Sequence, residues 1–171
     1  MTTTTALPAV RFHGSVEKPL RLTVAELRAL PADRVEVSFD CLAEGEQRHG
    51  YEGPRLWDAV RAARPRIDLR GRKQRLRFLL TVTGADGHCA VLSWAEIDPD
   101  FGGQRILLAT SVDGAPLDVA GPQLVVPTDR CGGRYVGGVT DVWVGPVAPG
   151  LPAPETADVC EITDLPSQLP R

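Results

Sequence analysis

The chain has 171 residues, 43% of them apolar and 24% charged, with a formal net charge of -3. That length suffices for one domain with tails, and the mild negative charge supplies no general attraction to nucleic acid or anionic membrane. No apolar run approaches the ~18 residues of a membrane span. The N-terminus MTTTTALPAV also lacks a charged-then-apolar secretion pattern, so a cytoplasmic setting is expected, with neither nucleic acid nor membrane as partner.

In chain order, residues 1–8 are a threonine-rich tail predicted to be disordered. Residues 10–14 alternate like a short strand, Glu17-Lys18-Pro19 makes a turn, and 20–22 extend again. Thr23 with Glu26 three residues on is a capping-box pattern, which predicts a helix over 24–30 that stops before Pro31. In VEVSFDC, Val35, Val37 and Phe39 alternate with Glu36, Ser38 and Asp40, predicting a half-buried strand that ends at Cys41. Residues 42–50 are polar and glycine-punctuated and read as a loop; a helix over 55–63 follows Gly53-Pro54.

Residues 61–77 carry eight Arg or Lys side chains. The spacing fits a solvated loop; the sharper reading is a rim that attracts an anion through guanidinium forks. A strand over 76–82, a Gly84–Gly87 turn and a returning strand over 88–92 form a hairpin, and Ser93 caps a helical turn over 94–97. Residues 106–109 are apolar on both faces, as in a fully buried strand. Asp113-Gly114 is a turn, 124–126 extend, 127–134 form a second glycine-rich loop, and 139–144 alternate as a closing strand. From Gly145 onward six prolines predict an extended or disordered arm. The expectation is a single α+β, β-rich domain with short helices over 9–145, flanked by the 1–8 tail and a 146–171 arm.

The four cysteines, Cys41, Cys89, Cys131 and Cys160, are scattered singly with no Cys-x-x-Cys pair. Free cytosolic thiols are buried core residues by default, and Cys89 and Cys131 are read as structural. Cys41 is the exception. It closes a strand and opens onto a polar loop, so it is expected to face a pocket that Arg48 and His49 also border. Trp57, Trp94 and Trp143 fall on apolar faces and are expected in the core.

Three segments resemble the molybdopterin-binding domain of the sulfite-oxidase-like oxidoreductases. They are 35–57 with Cys41 and Tyr51-Glu52-Gly53; 86–117 with Ile106-Leu107-Leu108-Ala109 and Asp113-Gly114-Ala115-Pro116-Leu117; and 121–136 with Gln123-Leu124-Val125-Val126-Pro127 and Gly133-Arg134-Tyr135-Val136. The resemblance implies that fold, a molybdenum–molybdopterin cofactor, and Cys41 as the thiolate ligand to the metal. Arg134 matches the arginine that contacts the anionic pterin-phosphate, with Gly132, Gly133 and His49 beside it as cofactor-binding positions. His88 stands where the family has a tyrosine near the metal; His88 and Arg48 are the catalytic candidates, orienting a small oxyanion-like substrate. The implied reaction is a two-electron, oxygen-atom-transfer step with a separate redox partner. The chain departs from the pattern at Gly137 and Gly138, which replace a lysine and a tryptophan, and at Gln123, which replaces an arginine. The alternative is a non-catalytic ligand- or protein-binding module that keeps the fold without a complete cofactor site.

Overall fold

The computed structural model describes residues 7–41 and 45–147, and for Asp40 and Cys41 the backbone only. The 146–171 arm falls almost entirely, and the 1–8 tail mostly, outside the described residues. Among the described residues, eleven strands and four short α-helices make an α+β, β-rich fold of open sheets. The first sheet contains β1 (Ala9–Gly14), β2 (Leu20–Thr23), β5 (Phe78–Gly84), β6 (Cys89–Ser93) and β11 (Val139–Pro146), in the order β2-β1-β11-β5-β6. Only β1 and β11 run parallel within it. A second sheet joins β3 (Ala32–Cys41), β4 (Gly45–Pro54), β8 (Ser111–Val112) and β9 (Ala115–Pro116).

Between these two lies a two-stranded ladder of β7 (Leu107–Ala109) and β10 (Gln123–Val125). Its strands are apolar on both faces because each face meets a different core. Leu108 and Leu124 pack into the larger cluster with Phe12, Leu80 and Trp94. Leu107, Ala109 and Val125 pack into a smaller one with Val35, Val37 and Tyr51. The alternation that makes most strands half-polar is lost here because neither face meets water.

The helices follow their sequence signals. α1 (Val24–Arg28) starts at a complete Thr23–Glu26 capping box, and α4 (Trp94–Ile97) at a Ser93–Glu96 one. α2 (Leu56–Ala62) buries Leu56, Ala59 and Val60. α3 (Arg72–Arg75) lies within the basic stretch, and the solvated-loop expectation fails at Arg75. That side chain is 3% exposed, pairs with Asp98 at 2.7 Å and Asp100 at 2.8 Å, and lies over the Phe101 ring. A buried guanidinium needs carboxylates around it, and Asp98, itself buried, also accepts from the Trp94 indole. Trp94 is fully buried, as expected; Trp57 and Trp143 are partly so.

The main correction concerns 42–50. Residues 45–50 are not a loop but the first half of β4, which pairs residue for residue with β3 from Cys41↔Gly45 to Ala32↔Pro54. Glu46, Arg48 and Glu52 face outward, and of the inward set Gln47, His49, Tyr51 and Gly53 only Tyr51 is strongly apolar. The strand has no hydrophobic alternation to read; its register comes from the buried face of β3. Gly53 is required for close approach, since a Cβ there would stand 2.4 Å from the Leu108 carbonyl oxygen.

Candidate functional site

Three segments distant in sequence meet at one end of the β3–β4 hairpin. Phe39, near the end of β3, lies against Gly132, where a Cβ would come within 2.9 Å of its ring. Residues Gly132–Arg134 form a single 3-10 turn. On its other side His88, from the β5–β6 turn, places Nε2 3.1 Å from the Gly133 carbonyl oxygen. The hairpin end, the 132–134 turn and His88 are thus brought together. Cys41 is the last residue of β3, opposite Gly45 and two residues beyond Phe39. An open cleft of about 300 Å³ at this hairpin end is lined by Ser38, Phe39, Glu46 and Arg130.

Arg134 lies under this surface with its guanidinium fork already taken. Nε and Nη2 donate to the two Asp129 oxygens at 2.8 and 2.6 Å, and Nη1 donates to Glu96 at 2.9 Å. The Asp129 bonds, with Glu96 behind them, raise its pKa further above the usual arginine value. Glu96 serves twice, because its other oxygen closes the α4 capping box on the Ser93 amide. One cation between two carboxylates leaves the locus with net negative charge.

His49 and Arg48 do not border one pocket. Neighbouring strand residues point to opposite faces. Arg48 is on the outer face, 79% exposed, and donates to Glu46 at 3.0 Å, where Ser38 also bonds. Those two partners, Ser38 first, hold the Glu46 carboxyl below its usual pKa. His49 is on the inner face, its Nδ1 2.7 Å from Asp113. Asp113 also accepts from the Gly50 amide, and the β8–β9 turn is thereby pinned to β4. The His49 bond, then the Gly50 bond, lower the Asp113 pKa.

Sequence reasoning missed the aromatic cluster under the hairpin. Tyr135 packs against Phe39 at 4.7 Å between ring centroids and meets Tyr51 edge-on at 6.2 Å, while Tyr51 meets His49 at 5.9 Å. Burial raises the Tyr51 pKa; burial, reinforced by Tyr51 and Asp129, pushes that of Tyr135 up to about 12. Tyr51 reaches Gln123 at 3.5 Å, but the buried Tyr135 hydroxyl has no partner among the described residues. The available signal was composition: these are the chain's two tyrosines, each inside a family-like segment. Arg130 was also missed. It is exposed at the cleft and, among the described residues, forms no ion pair.

Cys89 and Cys131 are free and exposed, which corrects the buried structural reading. Along β6 it is Ala90 and Leu92 that face the core, so Cys89 points outward. A larger cleft, about 480 Å³, lies elsewhere, beside Asp33, Arg55 and Trp57. Asp33 is bonded there by Arg105 and Arg55, which hold its carboxyl well below the usual range. That cleft contains none of the expected site residues.

No family model matches the chain, and no curated protein matches it. Among solved structures, the crystal structure of the sulfane dehydrogenase SoxCD from Paracoccus pantotrophus is similar, with a TM-score of 0.63 at 20% sequence identity. The match covers 80% of this chain and 37% of that one, so this chain spans well under half the length of its structural neighbour. At that identity the likeness is one of fold: a β-rich architecture shared with part of an oxidoreductase. Among the described residues no group of three or more His, Cys, Asp or Glu side chains is placed to hold a metal, and no helix is long and apolar enough to cross a membrane.

The resemblance implies a pterin cofactor whose phosphate would sit at Arg134. A phosphate at Arg134 would have to displace Asp129 and Glu96 and would then face both carboxylates. Gly132 packs against the Phe39 ring, and the Gly133 carbonyl is directed at His88. As arranged, the Arg134 guanidinium does not fit the phosphate of an anionic pterin.

Proposed function

We propose that this domain is a non-catalytic ligand-binding module built on the oxidoreductase fold, whose cleft at the hairpin end receives a small anionic ligand at Arg130 rather than Arg134. The observation that carries this reading is the neutralisation of Arg134 by Asp129 and Glu96. Arg130 is the cation at the cleft without a carboxylate partner among the described residues. The test is to titrate the folded protein with inorganic phosphate while following the arginine Nε–H resonances, assigned through Arg130→Gln and Arg134→Gln. The reading expects a saturable shift at Arg130 and none at Arg134. A shift at Arg134 contradicts it.

A second reading, a molybdopterin-dependent oxidoreductase with Cys41 as the thiolate ligand, is favoured by one observation. The Cys41 end of β3, the 132–134 turn and His88 converge although nearly fifty to a hundred residues separate them in sequence. A soft thiolate suits a redox-active metal whose remaining ligands come from the cofactor. In this reading Cys41 holds the metal, and His88 with Arg48 orients an oxyanion-like substrate.

A further inference from the structure

Residues 61–77 hold eight Arg or Lys and a single acidic residue, Asp68, a net +7 that leaves -10 for the rest of a chain whose total is -3. Two of these cations are satisfied internally, Arg75 by Asp98 and Asp100, and Arg64 by Glu17 at 3.3 Å. The other six, Arg61, Arg66, Arg70, Arg72, Lys73 and Arg77, are exposed and, among the described residues, form no ion pair. So concentrated an unpaired charge of one sign creates a local field that the overall charge conceals.

The patch is not purely polar. Of the five large apolar side chains that stand exposed among the described residues, two, Leu69 (39%) and Leu76 (50%), lie within it. Leu69 and Pro65 floor a shallow groove of about 190 Å³ whose walls are Arg61 and Arg64. Apolar anchors set within a surface rich in guanidinium groups, most of them without an ion pair among the described residues, match a protein surface of the opposite charge that carries its own apolar residue. A nucleic acid is a poorer fit. Stacking platforms need exposed aromatic rings; the segment contains none, and the neighbouring Trp57 ring is covered by Arg61 at 5.4 Å.

We infer that the 61–77 surface is a docking site for an acidic protein segment, with an apolar side chain of that segment seated on Leu69 and Pro65 between Arg61 and Arg64. This inference is independent of what occupies the hairpin cleft.

The experiment uses the full chain and a fluorescein-labelled peptide of alternating Asp and Glu with one central Leu. Controls are the same peptide with Ser at the centre and a single-stranded DNA of equal charge. The Leu peptide is expected to bind at low salt and to weaken roughly tenfold or more toward physiological salt. Replacing its Leu by Ser is expected to cost about tenfold, the scale of burying one leucine side chain. Leu69→Ser in the protein is expected to abolish that Leu/Ser difference while leaving the salt dependence. Arg61→Glu with Arg72→Glu is expected to remove binding altogether, with circular dichroism and the melting temperature confirming that both variants fold. Equal affinity for the Leu and Ser peptides, DNA binding as tight as that of the Leu peptide, or no binding at low salt would each overturn the inference.

Discussion

Burial of the aromatic cluster predicts that it resists ionisation in alkali. The chain has two tyrosines, Tyr51 and Tyr135, and both lie under the β3–β4 hairpin, so tyrosinate absorbance reports on this region alone. Tyr51 is raised by burial, and Tyr135 moves from the ordinary 10 to about 12. A folded-state pKa above the unfolded value means that the native state holds the proton more tightly. The associated stability is fully present below pH 10 and is lost as pH rises from 10 toward 12. Two units correspond to at most ~2.7 kcal/mol, and solvent contact of the half-buried Tyr135 ring reduces this to roughly 1–2 kcal/mol. The assay is a spectrophotometric titration at the tyrosinate band, paired with far-ultraviolet circular dichroism. At pH 10 the folded protein is expected to show little tyrosinate, and the rise is expected at higher pH or together with unfolding. Half-ionisation of both rings near pH 10 with the fold intact would refute the burial argument.

Four substitutions probe other parts of the structure. Tyr135→Phe removes a buried hydroxyl without a partner among the described residues and is expected to stabilise the protein by about 1 kcal/mol in denaturant melts; a loss of similar size would mean that the hydroxyl is satisfied in solution. Gly53→Ala drives a Cβ to 2.4 Å from the rigid Leu108 carbonyl and is expected to destabilise by about 1–3 kcal/mol, so an unchanged melting temperature would contradict the close approach of β4 to β7. Asp98→Asn disturbs the buried Arg75 pair and is expected to lower the melting temperature far more than Asp118→Asn, which disturbs the exposed Arg28–Asp118 pair. Equal effects would place Arg75 in solvent.

Much of the fold was legible because local chemistry and tertiary context agree. The 35–41 alternation, the Thr23–Glu26 capping box, the Ser93 cap and the Asp113-Gly114 turn each carry their own signal and form as read, and the doubly apolar 106–109 run forms a strand over Leu107–Ala109. β4 was illegible for a physical reason. An edge of the smaller core needs only one large apolar side chain, Tyr51, so its strand retains glycine and polar residues that spell a loop. That error carried the site with it. Placing Arg48 and His49 on one loop put them in one pocket, whereas strand pairing sends them to opposite faces.

The convergence of Phe39, His88 and Gly132 was foreshadowed only by the family resemblance, since no local pattern connects residues so far apart in the chain. The state of Arg134 was half legible. Asp129 lies five residues before it in the same loop, but Glu96 arrives from α4 through the tertiary fold. A motif match supplies the residue type at a position. It does not supply the countercharge, and here the countercharge decides what the arginine can hold.

The proposed binding module shares its fold with part of the sulfane dehydrogenase SoxCD, and its Arg134 is held by Asp129 and Glu96 rather than free for a pterin-phosphate. The most direct measurement is elemental analysis for molybdenum, with oxidised-pterin fluorescence, on full-length protein purified from a host that makes the cofactor. The account predicts neither metal nor pterin in folded protein. Near one molybdenum and one pterin per chain, lost in Cys41→Ser with the fold retained, would contradict it and establish the enzyme reading in its place.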